Sequence, residues 1–331
     1  MFQILRTKAH PKQRPSKVRS RFFLSAGCML AGLTSVAMPT GTVNAQTNFV
    51  WNNLQDYWDE SGAWTPGGPP GANDIASFQN AAVDTVFWDN LTANRQVGRL
   101  QITAGNYQFN NLGSSQFELT INSNADNAFL VSGASTVFRL AGLHFNAVNG
   151  GGNIGAGSRM HLLGGHPRGA RLSLRGLQVD GELNVESGAQ VSLNSQLSGG
   201  TLSIGSGTVN VTGSGSSLSI SGSGFGAGGE LYIGSPTGGA LVVDAGGQVT
   251  SGNSIVGFAQ ILDNNDSGSA TITGAGSKWT TRELNVGYIT GQGTLTVAAG
   301  GEVVSDNGYL GYIANGNATV QGVGSKWTIS N

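Results

Sequence analysis

Ser267-Gly268-Ser269-Ala270-Thr271-Ile272-Thr273-Gly274-Ala275-Gly276-Ser277-Lys278-Trp279-Thr280 returns further along the chain as Asn315-Gly316-Asn317-Ala318-Thr319-Val320-Gln321-Gly322-Val323-Gly324-Ser325-Lys326-Trp327-Thr328. A degenerate earlier copy is Val211-Thr212-Gly213-Ser214-Gly215-Ser216-Ser217-Leu218. Such self-similarity is the mark of a repeat architecture and has to be read before any single element. Between the copies runs a second motif. Glu283-Leu284-Asn285-Val286-Gly287 leads to Gly293-Thr294-Leu295-Thr296-Val297-Ala298-Ala299-Gly300-Gly301-Glu302-Val303. It matches Glu230-Leu231-Tyr232-Ile233-Gly234, which leads to Gly239-Ala240-Leu241-Val242-Val243-Asp244-Ala245-Gly246-Gly247-Gln248-Val249, with one position gained between the two halves. The repeating unit is therefore about 50 residues long, with slack in its turns.

Within each unit the apolar residues alternate. Leu284 and Val286 flank Asn285, Leu295 and Val297 flank Thr296, Leu202 and Ile204 flank Ser203, and Leu218 and Ile220 flank Ser219. Period two is the signature of a strand with one buried face. The strands read as three to five residues long, separated by Gly, Asn, Asp and Ser turns, and no helix is expected after residue 46. A sandwich, a propeller and a parallel solenoid all accommodate short strands at this spacing. The solenoid is favoured because the period drifts by single residues, which a one-dimensional stack tolerates and a closed ring does not. Outward Thr, Ser and Asn suit hydrogen-bonding ladders up such a stack. The expectation is an all-β, right-handed parallel β-helix. At roughly 20–25 residues per coil it has about a dozen coils and a length of roughly 60 Å.

Toward the N-terminus the pattern changes. Trp51, Trp58, Trp64 and Trp88 crowd around Pro66-Gly67-Gly68-Pro69-Pro70-Gly71. A solenoid has an open apolar end that needs a cap, so residues 46–100 read as an aromatic-rich N-terminal cap and first coils. Residues 101–199 read as irregular coils and 200–331 as the regular repeat.

Residues 1–45 read as a secretory signal peptide. Seven basic residues (Arg6, Lys8, Lys12, Arg14, Lys17, Arg19, Arg21) precede an apolar run from Phe22 to about Met38, and Val43-Asn44-Ala45 offers a small-x-small cleavage site. The run is too short and too dilute for a membrane span. Cys28, the only cysteine, falls inside this segment, so cleavage after Ala45 leaves no thiol for a disulfide, a catalyst or a metal. The chain has 17 Lys+Arg and 18 Asp+Glu; losing seven basic residues leaves 10 against 18, or −8. That balance argues against nucleic acid as a partner. At 11% charged residues the chain is also poor in raw material for an active site.

Gly-x-Gly-Ser-x-Trp, then Leu-x-Val-Gly, then Gly-x-Leu-x-Val-x-x-Gly-Gly-x-Val, over about residues 200–331, resembles the repeat of type V autotransporter passengers and of some exported PEP-CTERM proteins. Trp64-Thr65-Pro66-Gly67-Gly68-Pro69-Pro70-Gly71-Ala72-Asn73-Asp74-Ile75-Ala76-Ser77-Phe78 resembles the opening of many such passengers. The resemblance implies export to the cell surface or outside it, a β-helical passenger and an outer-membrane barrel. No barrel-like segments and no Pro-Glu-Pro tail are present in 1–331, so the anchor is expected on sequence outside this stretch. Host-cell or matrix surfaces, or glycans, are the partners such a rod implies.

Candidate chemistry is sparse, and no catalytic residue, cofactor or metal is expected. His161 and His166, with His144 nearby, match no common ligand spacing and read as solvated loop histidines. Asp263-Asn264-Asn265-Asp266 has calcium-like ligands without a calcium-loop pattern. Trp279 and Trp327 share a face with Ser277 and Ser325, opposite Lys278 and Lys326, which fits a packed indole and an outward lysine. The rival reading is a polysaccharide lyase or hydrolase, which needs grouped carboxylates. The acids from Glu182 to Asp306 are scattered, and Glu230 and Glu283 recur at equivalent positions, which reads as turn chemistry. The stretch most open to a site holds Asp84, Asp89, Glu118, Asp126, Arg139, Arg159, Arg168, Arg171 and Arg175. A decayed gene without a role of its own is the third reading.

Overall fold

The computed structural model describes residues 46–331 except 89–93, 112–116, 166–168, 196–199, 223–228, 235–237 and 259–265. Residues 1–45, with the signal segment and Cys28, lie outside the described part, as do Asp89, His166, Arg168 and Asp263 to Asn265. The described residues form a parallel β-solenoid. One 3-10 turn, Ser61–Ala63, is the only helical element among them, and no helix among them is long and apolar enough to cross a membrane.

Two sheets wrap the core. The smaller has ten strands, one per coil, from Val83–Phe87 to Gly316–Gln321. These ten strands number the coils below, from 1 to 10. The larger sheet has 17 strands and covers the other two sides. Strand Arg171–Val179 shows how: Arg171 to Leu174 pair with Gln190 to Leu193, while Gly176 to Val179 pair with Thr201 to Ile204. Each coil thus contributes two segments to this sheet, and in several coils they fuse.

The fused strands Gln248–Phe258, Lys278–Tyr288 and Glu302–Tyr312 are 11 residues each, longer than the three to five expected. The cause is a corner that keeps its ladder. Along Gln248–Phe258 the buried positions run Val249, Ser251, then Ser254, Val256, so the alternation slips by one at Gly252. Lys278–Tyr288 slips likewise at Arg282, while Ser251 still pairs with Thr281 and Asn253 with Glu283. Read along the sequence, the polar run at the corner resembles a turn. In the fold it turns the chain while pairing continues on both sides of it.

Inward side chains stack in register from coil to coil. Val86, Phe109, Leu140, Leu162, Val185, Val211, Val243, Ile272 and Val297 form one such column, all 0% exposed. Each residue contributes its apolar area against the next, at about 1.5–3 kcal/mol per fully buried large side chain. Near the N-terminus the core turns aromatic. Trp51, Trp58, Trp64 and Phe78 pack with ring centroids 4.8–6.3 Å apart. The indole N–H of Trp51 donates to Asp84 (2.7 Å) and that of Trp64 to the Trp58 carbonyl (2.8 Å). Asn48–Trp51 lies antiparallel to Trp64–Thr65 on one side and parallel to Ile75–Phe78 on the other. The aromatic cap expected there is present.

Coil length varies with the loops. Val137 pairs with Arg159, a short step along the chain, whereas Thr208 pairs with Ala240, a step nearly half as long again. Longer coils mean fewer of them: ten stacked strands span about 43 Å at about 4.8 Å per step, shorter than the dozen coils and 60 Å expected. Gly268 pairs with Gly293, and Gly293 with Gly316. The step from Gly268 to Gly316 is also the step of the sequence repeat, so one repeat is two coils.

What makes two coils the unit is a pair of unlike turns. Coils 7 and 9 leave the ten-stranded sheet through Ala245-Gly246-Gly247 and Ala299-Gly300-Gly301, in which Ala and the first Gly both take positive φ (48° and 90°; 48° and 88°). Coils 8 and 10 leave through Gly274-Ala275-Gly276-Ser277 and Gly322-Val323-Gly324-Ser325. Ser277 Oγ accepts the Gly246 N–H of the coil below (3.0 Å), and Ser325 Oγ accepts that of Gly300 (3.0 Å). Coils 5 and 6 do the same, with Ser216 Oγ accepting from Gly188 (2.9 Å). Trp279 and Trp327 follow the same pairing, donating their indole N–H to Ser251 Oγ (3.0 Å) and Ser305 Oγ (3.1 Å) of the coil below.

Candidate functional site

Strand alternation fixes which side chains reach solvent. On one side of the larger sheet the outward row runs Thr120, Asn146, Ser173, Ser192, Ser219, Thr250, Thr280. The row two residues earlier runs Glu118, His144, Arg171, Gln190, Ser217, Gln248, Lys278, Glu302, Lys326. Small polar residues fill the first row as far as Thr280, and Val304 follows in the same register. Charges gather at the two ends of the second.

At the N-terminal end of these rows three side chains on three successive coils connect. His144 Nε2 lies 2.9 Å from Ser173 Oγ. His144 Nδ1 lies 3.2 Å from Glu118 Oε2. Glu118 is itself held, its Oε1 accepting from Asn146 Nδ2 (2.8 Å) and Thr120 Oγ1 (3.0 Å). Burial pulls the His144 imidazole down, the Glu118 charge pushes it up, and the Arg171 charge pulls it down again; the net displacement is below the ordinary 6.5. A neutral ring here donates from Nδ1 to Glu118 and accepts the Ser173 hydroxyl at Nε2, a tautomer assigned from the bond network. That is the nucleophile, base and orienting-acid order used in acyl transfer. Ser173 is half-buried and Arg171 exposed. Arg171 is the cation beside this group.

Sequence reasoning names Glu118, His144 and Arg171 without joining them, and does not name Ser173. They lie on three successive coils, Glu118 and His144 on one register row and Ser173 two residues along from Arg171 on the next coil, an arrangement that the uneven coil lengths hide from the sequence. His144 and His161 are not loop residues. They sit on strands Leu143–Ile154 and Arg159–Leu163, on different sheets, and each faces a carboxylate, His161 Nδ1 lying 3.5 Å from Glu186 Oε1. The three histidines are not gathered, His166 being outside the described residues. No group of three or more His, Cys, Asp or Glu suited to a metal occurs among the described residues.

Glu230 and Glu283 are not turn residues either. Each begins a strand segment facing outward and accepts from the side chain two positions on, Tyr232 OH to Glu230 (2.6 Å) and Asn285 Nδ2 to Glu283 (2.9 Å). Arg175 pairs with Asp126, and Arg139 with Asn106. Trp279 is fully buried, as its alternation implies, with Ser251, Ser254 and Thr281 forming a buried hydroxyl cluster beside it. Trp327 is partly buried.

At the C-terminal end the outward surface turns aromatic. Tyr288 and Tyr312 stack at 5.4 Å with 14° between planes, and Tyr232 packs on Phe258 at 4.4 Å. A groove of about 250 Å³ is lined by Glu283, Asn285, Tyr288, Tyr309 and Tyr312.

No known protein family, no curated protein and no solved structure matches this chain.

Proposed function

We propose that this protein is a secreted, surface-exposed passenger rod of the autotransporter type, structural and adhesin-like, that binds through its outward faces. The observation that supports this reading best is the outward row from Thr120 to Thr280, small and polar on each of those seven successive coils before Val304 follows in the same register. A flat, periodic, hydroxyl-rich surface suits contact spread over many coils, which is how stacked repeats commonly bind. The basic-then-apolar layout of residues 1–45 supports export. Production of the whole chain in a Gram-negative host, followed by fractionation and N-terminal sequencing, tests it. The expected product is exported and begins at Gln46. A cytoplasmic product that keeps Met1 refutes the reading.

A second reading, a carbohydrate-active enzyme, is favoured by Glu118, His144 and Ser173. Its chemistry is ester hydrolysis on an acylated glycan. His144 takes the Ser173 proton as Oγ attacks the acyl carbonyl, returns it to the departing sugar hydroxyl, and then activates the water that releases the acid. A fluorophosphonate probe tests it. Labelling at Ser173 that vanishes in Ser173→Ala and falls sharply in His144→Asn supports the enzyme; absence of labelling in the parent chain removes it.

A further inference from the structure

We propose that the pocket at the corner of coils 2 and 3, lined by Thr120, Asn122, Ser123, Asn124, Asn146 and Asn149, binds one neutral sugar unit of a glycan. The proposal rests on the reading of the chain as a surface-exposed binding rod and gives that binding a place.

The pocket exists because the ladder is interrupted there. Ala147 pairs with Leu174 and Gly151 with Gly176, so the coil-3 strand advances four residues where its neighbour advances two. Bulges of this kind are common beside functional sites. On coil 2, strand Phe117–Ile121 ends and the chain turns before Phe129–Val131 resumes the sheet. Bulge and turn together enclose about 350 Å³. The walls are fixed: the Gly151 N–H donates to the Ala125 carbonyl (2.9 Å), and the Ala125 N–H to Ser123 Oγ (3.2 Å). A Cβ on Gly150 would stand 2.5 Å from the Ser123 carbonyl oxygen, so only glycine lets bulge and turn approach this closely. Coils continue on both sides of the pocket, from coil 1 below it to coil 10 above.

The lining presents acceptors held in place. Glu118 Oε1 takes an amide hydrogen of Asn146 (2.8 Å) and the Thr120 hydroxyl (3.0 Å). The carboxylate thereby fixes which way the Asn146 amide points, because its oxygen turned toward Glu118 would be repelled. What faces away is Asn146 Oδ1, a buried acceptor with no partner among the described residues. Such an atom is costly to leave unpaired, and a ligand hydroxyl relieves that cost. Thr120 keeps its oxygen lone pairs, and Asn122, donating through Nδ2 to Gln96 (3.2 Å), keeps its Oδ1. A carboxylate or sulfate, which only accepts, brings lone pairs against lone pairs. An ammonium or guanidinium finds no acid in the lining to balance its charge, and the second Glu118 oxygen is taken by His144 Nδ1 (3.2 Å). A sugar ring carries several hydroxyls on one compact frame, each a donor and an acceptor, which matches amides that offer both. The volume is near the lower end for ligand pockets and suits one ring of a longer chain. Asn146 pairs with Ser173 on the next coil, so a ring seated here borders the Glu118, His144 and Ser173 group.

The test uses the purified chain and soluble oligomers of glucose, galactose, mannose and N-acetylglucosamine, read by calorimetry and saturation-transfer NMR. Oligogalacturonate is the anionic comparator and oligomers of glucosamine the cationic one. Binding of at least one neutral oligomer is expected, tighter than either comparator. Asn146→Ala weakens it roughly three- to tenfold, the scale of one hydrogen bond. Asn149 is exposed, so Asn149→Ala leaves the core intact, and it too weakens binding. No neutral binding by the parent chain overturns the proposal. So does neutral binding unchanged in both alanine variants, or a charged comparator that binds as tightly as the neutral oligomers. Where the variants change nothing, the rod still binds glycan, elsewhere, and only the assignment of the pocket fails; the export experiment bears on the rod reading alone.

Discussion

Ser216 and Ser214 occupy the same turn, Gly213-Ser214-Gly215-Ser216, and should differ sharply in what they contribute. Ser216 is 0% exposed, and its Oγ accepts the Gly188 N–H at 2.9 Å. Ser214 is exposed. Ser216→Ala removes the acceptor and leaves the Gly188 N–H to find another. A buried donor left alone costs about 1–3 kcal/mol, and Gly188 is half-exposed, so the lower part of that range, about 1–2 kcal/mol, applies. Ser214→Ala should fall within about 0.5 kcal/mol of the parent. Urea denaturation followed by far-UV circular dichroism reads the difference in midpoint. Hydrogen exchange reads its location: the Gly188 amide loses protection in Ser216→Ala while strands two coils away keep theirs, because stacked repeats communicate mainly with neighbours. Equal midpoints for the two variants would show that the Ser–Gly bond does not join coils 5 and 6.

Trp279→Phe should destabilise by about 1–3 kcal/mol, since it leaves Ser251 without the indole donor, and Trp279→Ala by about 3–5 kcal/mol through the added cavity, both read by denaturant midpoint. Glu302 lies between Lys326 (3.2 Å) and Lys278 (3.5 Å). Partial burial pushes its carboxyl up from 4.5, but the Lys326 bond and both ammonium charges outweigh that and hold it lower. Its contribution is therefore present above about pH 4.5 and lost as pH falls through the lowered value. With both lysines more than a third exposed it amounts to at most about 1 kcal/mol. Glu302→Gln should lose that much near neutral pH and nothing in strong acid, and should lose less at molar salt. His144 carries the opposite charge but the same direction of shift. Its folded value lies below 6.5, so the unfolded chain binds the proton first and stability falls as pH drops from 6.5 to the folded value. In His144→Asn that decline below about pH 6.5 should shrink, as measured by melting temperature at fixed ionic strength.

Much of the fold was legible because strand alternation and turn composition are local. Leu284, Val286, Leu295 and Val297 are 0% exposed, as their period implies. The Trp-rich opening announced a cap because so large an apolar mass needs an end to cover. Coil number and the joining of outward residues were not legible, for one shared reason. Register between coils is set by the length of every loop, and alternation says nothing of loop length. Across coils 2 to 4 the register advances from Asn106 to Val137 and then by a much shorter step to Arg159, so no single period places His144 over Glu118 or beside Ser173. Near the C-terminus the period is steady, and there Lys278, Glu302 and Lys326 could have been aligned from the repeats alone. The corner was hidden for a different reason. Ser251-Gly252-Asn253 has the composition of a turn, and only the uninterrupted pairing of the next strand distinguishes a bend from a break.

The alternation of three- and four-residue turns has a consequence for how such a chain changes length over generations. An unequal crossover that adds or removes one coil sets two like turns on neighbouring levels, where a serine meets no waiting glycine N–H, or the N–H meets no serine. One that moves two coils restores both contacts, the Ser–Gly bond and the Trp–Ser bond, at the new junction. Length is thereby quantised. Viable insertions and deletions across 200–331 should come in steps of one full repeat, with shorter changes confined to the loops.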